Sequence, residues 1–264
     1  MSLINFLEIE NEIEQLKSDF EKATPFEHIV LDDFCDPLLL EDALNTIADA
    51  KQQGINKSRD FVFAKNKFEK SSFELLSPIF KKLKEELLSE RFQKITQKIT
   101  GENIFIDPEF HGGGLHQGGK GSYLNMHVDF NYHPKNPKWF RNINILIYLN
   151  KDWKKEYGGE LKLIDGRSET EDVHYIEPLF NRAVIMFTRD YTKHGYAPIN
   201  FPEGTYRRSI AAYGYTEEAS EGIVRTTVWY PENGGVVKRI LGKHMPKLVK
   251  LKSLLLGSGT SKNK

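Results

Sequence analysis

The spacing of apolar residues along the chain changes about one hundred residues from the start. Over residues 3–22 apolar side chains mix with acids at helical spacing, which predicts one amphipathic helix ending before Pro25. Similar patterns predict a helix over about 38–52 and one or two more over 73–100, ending at Gly101. The first hundred residues are therefore predicted to be mainly helical.

Between residues 104 and 230 the pattern becomes one of short apolar runs separated by Gly and Pro. The runs are rich in β-branched and aromatic residues, which is typical of strands joined by turns. They are Ile143–Leu149, Glu160–Ile164, Ala183–Phe187, Ser209–Tyr213 and Val224–Tyr230. A helical part followed by a stranded part predicts an α+β fold.

Composition narrows the class of protein. The 264 residues suffice for one large domain, and 39% apolar residues allow a sizeable core. Lys+Arg and Asp+Glu are both 37, which argues against a strongly basic nucleic-acid binder or an acidic solvating protein as a description of the whole chain. The single cysteine, Cys35, excludes an intramolecular disulfide and a cysteine-based zinc site.

The sequence also predicts a compartment. The first twenty residues lack the basic segment and apolar run of a secretory signal peptide. No apolar stretch approaches the roughly 18 residues that span a bilayer. Together with the single thiol, these features predict a cytoplasmic protein.

The end of the chain has a charge of its own. Residues 225–264 hold nine Lys or Arg and one acid, Glu232, which gives this segment a net charge of +8. We predict a single domain over residues 1–224, followed by a basic strand and helix extension over residues 225–264. Such a segment could pack on its own domain or contact an anionic membrane surface, nucleic acid or an acidic partner.

One segment carries a candidate metal site. His127 and Asp129 lie two apart on a predicted strand and therefore point to the same face. Alone this pair is a weak signal, and a surface turn is the commoner explanation. His194 follows the strand Ala183–Phe187 and completes a set of two imidazoles and a carboxylate. This set suits the facial triad of non-heme Fe(II) oxygenases, although affinity alone leaves Mn, Co and Zn open.

A second segment carries a candidate anion site. On a strand, Arg207 and Ser209 share one face, and Arg208 takes the other. A guanidinium facing an apolar interior is costly unless an anion meets it, and its planar fork fits a carboxylate. The alternative is that both arginines are surface residues at a strand start.

Six segments stand in a characteristic order along residues 115–215. They are His127-x-Asp129, Ile145–Trp153, Gly158–Leu163, Ile176–Pro178, Asn181–Phe187, and His194-Gly195 with Arg207–Ile210. In this order they resemble the Fe(II)/2-oxoglutarate-dependent dioxygenase superfamily, and specifically its prolyl 4-hydroxylase-like branch. The set is far more specific than the His-x-Asp spacing alone.

The resemblance implies a fold and a metal site. It implies a double-stranded β-helix (jelly-roll) core over residues 104–224, with supporting helices from residues 1–103. Within that core it implies that His127, Asp129 and His194 bind Fe(II).

The resemblance also implies a cosubstrate site. Arg207 would pair with the distal carboxylate of 2-oxoglutarate, and the Tyr148 hydroxyl would reach the same group. Ser209 would add a hydroxyl, and Leu161 would line the pocket. The loop after His194 is longer than expected for the family, so Arg208 stays an alternative that strand alternation disfavours.

The implied activity is hydroxylation of an unactivated C–H bond, with 2-oxoglutarate and O₂ consumed and succinate and CO₂ released. Ascorbate is a further candidate cofactor. A prolyl residue in a peptide is the first candidate substrate, and a small metabolite or a sugar or lipid precursor is the second. A non-oxidative jelly-roll metal-binding protein is a competing class, which would not need Arg207 and Tyr148. A third is a binding module that recruits partners through its basic tail.

Two further features stay open at this level. Arg141 precedes a predicted strand and could face the substrate at the mouth of the site or lie in solvent. The segment His111–His116 is Gly-rich, which favours a plain loop over a lid or a second metal site.

Overall fold

The computed structural model describes residues 2–47, 56–57, 62–168, 172–232 and 235–256. In their described part, the first hundred residues contain less helix than predicted, together with three strands. Their helices are α1 (Phe6–Asn11), α2 (Ile13–Lys22), α3 (Pro37–Asn45), α4 (Pro78–Leu87) and α5 (Glu90–Thr100). The helix predicted over 3–22 is interrupted at Glu12, and the helix predicted over 38–52 ends at Asn45. Residues 48–52 of that prediction lie outside the described residues.

Local capping explains where the later helices begin and end. The side chain of Asp36 accepts from two backbone N–H groups at the start of α3, and Pro37 occupies the first turn. Ser77 and Ser89 cap α4 and α5 in the same way. Gly101 ends α5 in the left-handed conformation, as a C-terminal glycine does.

The remainder of the described chain is dominated by one antiparallel sheet. Its strands are β1 (His28–Leu31), β2 (Asn56–Lys57), β3 (Ala64–Lys70), β4 (Phe105–Ile106), β5 (Gly114–Val128), β6 (Tyr132–His133), β7 (Asn136–Tyr148), β8 (Leu161–Asp165), β9 (Val173–Ile176), β10 (Ala183–Phe187), β11 (Thr192–Tyr196), β12 (Arg207–Glu217) and β13 (Val228–Trp229). The main order is β1-β10-β7-β12-β5-β11-β8-β9, and the sheet curls into a half-barrel. The predicted α+β fold with a jelly-roll type of core is therefore confirmed.

The sequence predicted only the His127 end of the longest strand, β5. The Gly-rich segment expected to be a loop contributes Gly114–His116 to the start of β5. Glycine is needed there because the neighbouring strand approaches so closely. A Cβ on Gly114 would lie 2.3 Å from the carbonyl oxygen of Lys70 on the neighbouring strand β3.

One face of the sheet packs against the helices, and the other lines the inside of the half-barrel. On β7, Ile143, Ile145 and Ile147 face the helices and join a large apolar core with aromatic residues of α2 and α5. The alternate residues, including Asn144 and Tyr148, face the inside of the half-barrel. Burial of the outer face thus fixes which side chains line the interior.

The C-terminal segment is attached to the same sheet. β13 pairs with β5, and α6 (Gly235–Leu256) follows it. A Cβ on Gly242 would lie 2.5 Å from the Trp229 carbonyl oxygen, so α6 packs closely on β13. Within the described residues, no helix combines the length and apolar character needed to cross a bilayer. The cytoplasmic location stays a prediction.

A buried asparagine joins the lead-in to α3 to the sheet, and its replacement should be costly. The Asn181 side chain bonds both the N–H and the C=O of Cys35, at 2.8 and 2.7 Å. Asn181→Gly leaves both groups buried and unpaired, so we expect a loss of about 2–5 kcal/mol in unfolding free energy. Asn181→Ala should lose about 1 kcal/mol more, because Asn181 has a φ of +63°. Urea unfolding measures both.

Asn103 provides the control for this prediction because it is exposed. Asn103→Ala should change the unfolding free energy by less than about 0.5 kcal/mol. An Asn181→Gly protein as stable as the wild type would show that the Cys35 hydrogen bonds contribute little.

Candidate metal and cosubstrate site

Three side chains converge inside the half-barrel. His127 lies near the end of β5, Asp129 follows that strand, and His194 lies opposite His127 on β11. The Nε2 atoms of His127 and His194 lie 3.4 and 3.3 Å from Asp129 Oδ1 and Oδ2 respectively. Within the described residues this is the one group of three such side chains whose ligand atoms all lie within 4.8 Å of one another.

Backbone carbonyls orient both imidazoles. His127 Nδ1 lies 3.0 Å from the Asn125 carbonyl oxygen, and His194 Nδ1 lies 3.3 Å from that of Thr192. A carbonyl can only accept, so each Nδ1 carries the proton and donates it. Each Nε2 then turns an unprotonated lone pair towards Asp129. This outer hydrogen bond is the usual support of a metal-binding histidine.

The protonation states suit a divalent metal. Burial lowers the pKa of His127, so that imidazole is neutral at neutral pH. Burial alone would raise the pKa of Asp129, but the charge of Arg141 holds it well below its usual range. Two imidazoles and one carboxylate therefore face a common point. This donor set fits Fe(II).

Arg141 is neither a solvated residue nor at a strand start. It lies within β7, its exposure is 2%, and its Nη2 donates to Asp129 Oδ2 at 3.0 Å. It lines the cavity that holds the three candidate ligands, so it belongs to the interior of the site.

The predicted cosubstrate residues lie on the same inner face. Ser209 pairs directly with Tyr148 across β12 and β7. Arg207 Nε donates to the Gly159 carbonyl oxygen at 2.7 Å, and Arg207 Nη2 to the Tyr148 hydroxyl at 3.4 Å. Arg207, Ser209 and Leu161 line the cavity, whereas Tyr148 lies fully buried behind Arg207. The structure thus brings all four together.

Arg207 carries a buried positive charge. Its exposure is 7%, and within the described residues no carboxylate lies within 4.0 Å of its guanidinium. Its neighbours are the rings of Tyr148 and Tyr196. Burial raises the pKa of Tyr148, so its hydroxyl stays protonated and can donate. A buried guanidinium beside a hydroxyl fits the carboxylate of a ligand.

Arg208 points to the opposite face of β12. Its Nε donates to Gln117 Oε1 at 2.7 Å, and its backbone N–H donates to Asn150 Oδ1. The alternation of the strand therefore separates Arg208 from the cavity. A role of Arg207 in binding 2-oxoglutarate stays a prediction.

Several residues of the cavity were not predicted. The cavity has a volume of about 210 Å³ and also includes Lys67, His116, Asn144, Tyr196, Tyr213 and Trp229. Lys67 lies on β3. The sequence of this strand, AKNKFEK, is mostly polar and has no apolar run that would predict a strand. Alternation around Phe68 is the one clue to it.

Trp229 brings the C-terminal extension into the site. Pairing of β13 with β5 places Trp229 opposite His127, and the two rings stack with centroids 4.9 Å apart. Phe63 stacks on Trp229 in turn, at 5.2 Å. The extension therefore supplies a wall beside a candidate ligand.

Comparisons with known proteins agree with this geometry. Residues 113–215 match the family model described as the 2OG-Fe(II) oxygenase superfamily. A prolyl hydroxylase from Trichoplax adhaerens, solved with a peptide of the hypoxia-inducible factor oxygen degradation domain, superposes with a TM-score of 0.58 at 16% identity, over 80% of this chain and 91% of that one. A prolyl-4-hydroxylase from Pseudomonas putida gives 0.52 at 12% identity, over 79% and 100%.

The likeness extends to an enzyme with another reaction. A non-heme α-ketoglutarate-dependent epimerase of nogalamycin biosynthesis gives a TM-score of 0.52 at 10% identity, over 84% of this chain and 87% of that one. At such identities the three structures show the fold alone. The matched segment, residues 113–215, includes the three candidate metal ligands and Arg207.

Proposed function

We infer that this chain, whose residues 113–215 belong to the 2OG-Fe(II) oxygenase superfamily, hydroxylates an unactivated C–H bond with Fe(II) and 2-oxoglutarate. One observation carries this proposal. A single cavity contains both a two-histidine, one-carboxylate set and a buried guanidinium that lacks a carboxylate partner among the described residues. A non-oxidative metal-binding protein would need the first feature but not the second.

One set of residues would bind the metal, and another would bind the cosubstrate. His127, Asp129 and His194 would hold Fe(II). Arg207 would bind the far carboxylate of 2-oxoglutarate, with the Tyr148 hydroxyl as a further donor. Once bound, Fe(II) with 2-oxoglutarate and O₂ supplies the oxidant for the C–H bond, and succinate and CO₂ are released.

The walls of the cavity would keep this chemistry away from bulk water. Leu146 and Leu161 provide apolar surface near the polar groups, and Trp229 covers one side of His127. Electrostatic interactions are stronger in such a poorly hydrated interior than in water. Arg207 would therefore hold a carboxylate more firmly here than at the surface.

For the substrate, we favour a prolyl residue in a peptide over a free small metabolite. The cavity of about 210 Å³ is smaller than the roughly 300–1,000 Å³ of most small-molecule sites. Bound 2-oxoglutarate would fill part of this volume, which favours a substrate that inserts a single side chain. Two of the similar folds are prolyl hydroxylases, which supports the same choice. The epimerase keeps a small metabolite as the second candidate.

The test is anaerobic addition of Fe(II) and 2-oxoglutarate to metal-free protein. We expect the weak visible charge-transfer band of an iron-bound 2-oxo acid, and its loss in His194→Ala. His174→Ala is the control, because His174 is exposed on β9 and outside the cavity. Iron binding without the band would favour a non-oxidative metal-binding protein.

A further inference from the structure

The two oxygens of Asp129 have different surroundings. Oδ2 accepts from Arg141 Nη2 at 3.0 Å and from Asn144 Nδ2 at 2.8 Å. A carboxylate oxygen has about two lone-pair positions, and these donors occupy both. His127 Nε2 lies 3.4 Å from Oδ1 and His194 Nε2 lies 3.3 Å from Oδ2, and neither nitrogen has a proton to donate when its Nδ1 carries it. Oδ1 is therefore the oxygen with free lone pairs.

Arg141 and Asn144 also hold each other. Asn144 Oδ1 accepts from Arg141 Nε at 3.1 Å and from Arg141 Nη2 at 2.7 Å. The guanidinium is buried against the rings of Tyr213 and Phe130, with its central carbon 3.5 and 4.4 Å from their centroids. The ring of hydrogen bonds among Asp129, Arg141 and Asn144 is thus fixed in place by packing.

A bulge in β7 makes this arrangement possible. Gly214 pairs with Ile143, but the next residue, Tyr215, pairs with Arg141, so Asn142 is an extra residue in the ladder. In a regular strand, residues three apart point to opposite faces. The extra residue turns Arg141 to the inner face that Asn144 occupies, as bulges near active sites often do.

We propose that Arg141 and Asn144 are positioning residues that occupy Oδ2 and so make Asp129 a ligand through Oδ1 alone. This rests on the function proposed above, in which 2-oxoglutarate also needs places on the metal. A carboxylate freed from its two donors could turn both oxygens to the metal and take one of those places. The pair would therefore protect cosubstrate binding through its hold on Asp129.

The decisive variant is Asn144→Leu, which removes one donor without changing charge. We expect the dissociation constant of 2-oxoglutarate to rise about 10–100-fold and that of Fe(II) to rise by much less, because Oδ1 can still bind the metal. Both are measured without turnover, the first by anaerobic titration of the charge-transfer band. Arg141→Met should move the same two quantities in the same directions. Circular dichroism identifies a variant that fails to fold.

Asn136→Leu is a matched control. Asn136 is on the same strand, but its side chain accepts from the Lys138 N–H and it does not line the cavity. Its 2-oxoglutarate affinity should equal that of the wild type. Wild-type cosubstrate affinity in a folded Asn144→Leu protein would overturn the proposal, and so would parallel loss of Fe(II). If the wild type binds Fe(II) but not 2-oxoglutarate, the proposed function itself fails, and the role of the pair fails with it.

Discussion

His127→Ala and Asp129→Ala are each expected to abolish succinate formation and to weaken Fe(II) binding by more than about 100-fold. Changing even the outer partners of a metal ligand costs about 10–100-fold, and removing a ligand should cost more. In Asp129→Ala the guanidinium of Arg141 would also lose its carboxylate and remain as an unpaired buried charge. Succinate release from 2-oxoglutarate and equilibrium dialysis of Fe(II) measure the two effects.

The chain offers a control of the same chemistry elsewhere. His133 is buried, its Nε2 lies 3.6 Å from Asp107 Oδ2, and it does not line the cavity. His133→Ala should keep Fe(II) binding and succinate formation even if it lowers stability. Full activity in His127→Ala or Asp129→Ala would remove the triad from the mechanism. Equal loss of iron in His133→Ala would point to general unfolding.

The parts of the fold that follow a simple period were predictable, and the exceptions have local causes. The apolar runs predicted as strands at Ala183–Phe187 and Ser209–Tyr213 are found in β10 and β12. By contrast β5 begins in a Gly-rich segment, because glycine permits the close approach of a neighbouring strand there. Glycine in a sequence predicts turns far more often, so only the His127 end of this strand was predicted.

The candidate site was likewise predictable only where a regular strand positions its residues. His127 and Asp129 share a face by strand alternation alone, and the structure places them together. Arg141 could not be assigned in this way, because its orientation depends on a bulge at Asn142. A bulge depends on how two distant strands pair, and neither strand encodes it in its own spacing. Trp229 likewise reaches His127 only through pairing of strands a hundred residues apart.

Arg207 and Arg208 allow the sharpest test of the cosubstrate site, because they are adjacent but face opposite ways. Arg207 lies in the cavity beside the Tyr148 hydroxyl, and Arg208 bonds Gln117 on the other face. Arg207→Ala should raise the apparent KM for 2-oxoglutarate about 10–100-fold, since a hydrogen bond to a charged group contributes about 1.5–3 kcal/mol. Arg208→Ala should change it by less than about threefold, although it removes the same charge.

Comparing Arg207→Ala with Arg208→Ala separates the effect of side-chain direction from the effect of charge. A general electrostatic attraction of the dianion would respond to both substitutions alike, because both remove one positive charge from the same strand. A specific pair responds to Arg207 alone, and Arg207→Lys should then restore only part of the affinity, since an ammonium lacks the planar fork of a guanidinium. Steady-state kinetics with varied 2-oxoglutarate at saturating Fe(II) measure the apparent KM of each variant and so distinguish the two explanations. A larger effect of Arg208→Ala would mean that β12 presents its other face to the cosubstrate, which would also remove Ser209 from the site, because alternation ties it to Arg207.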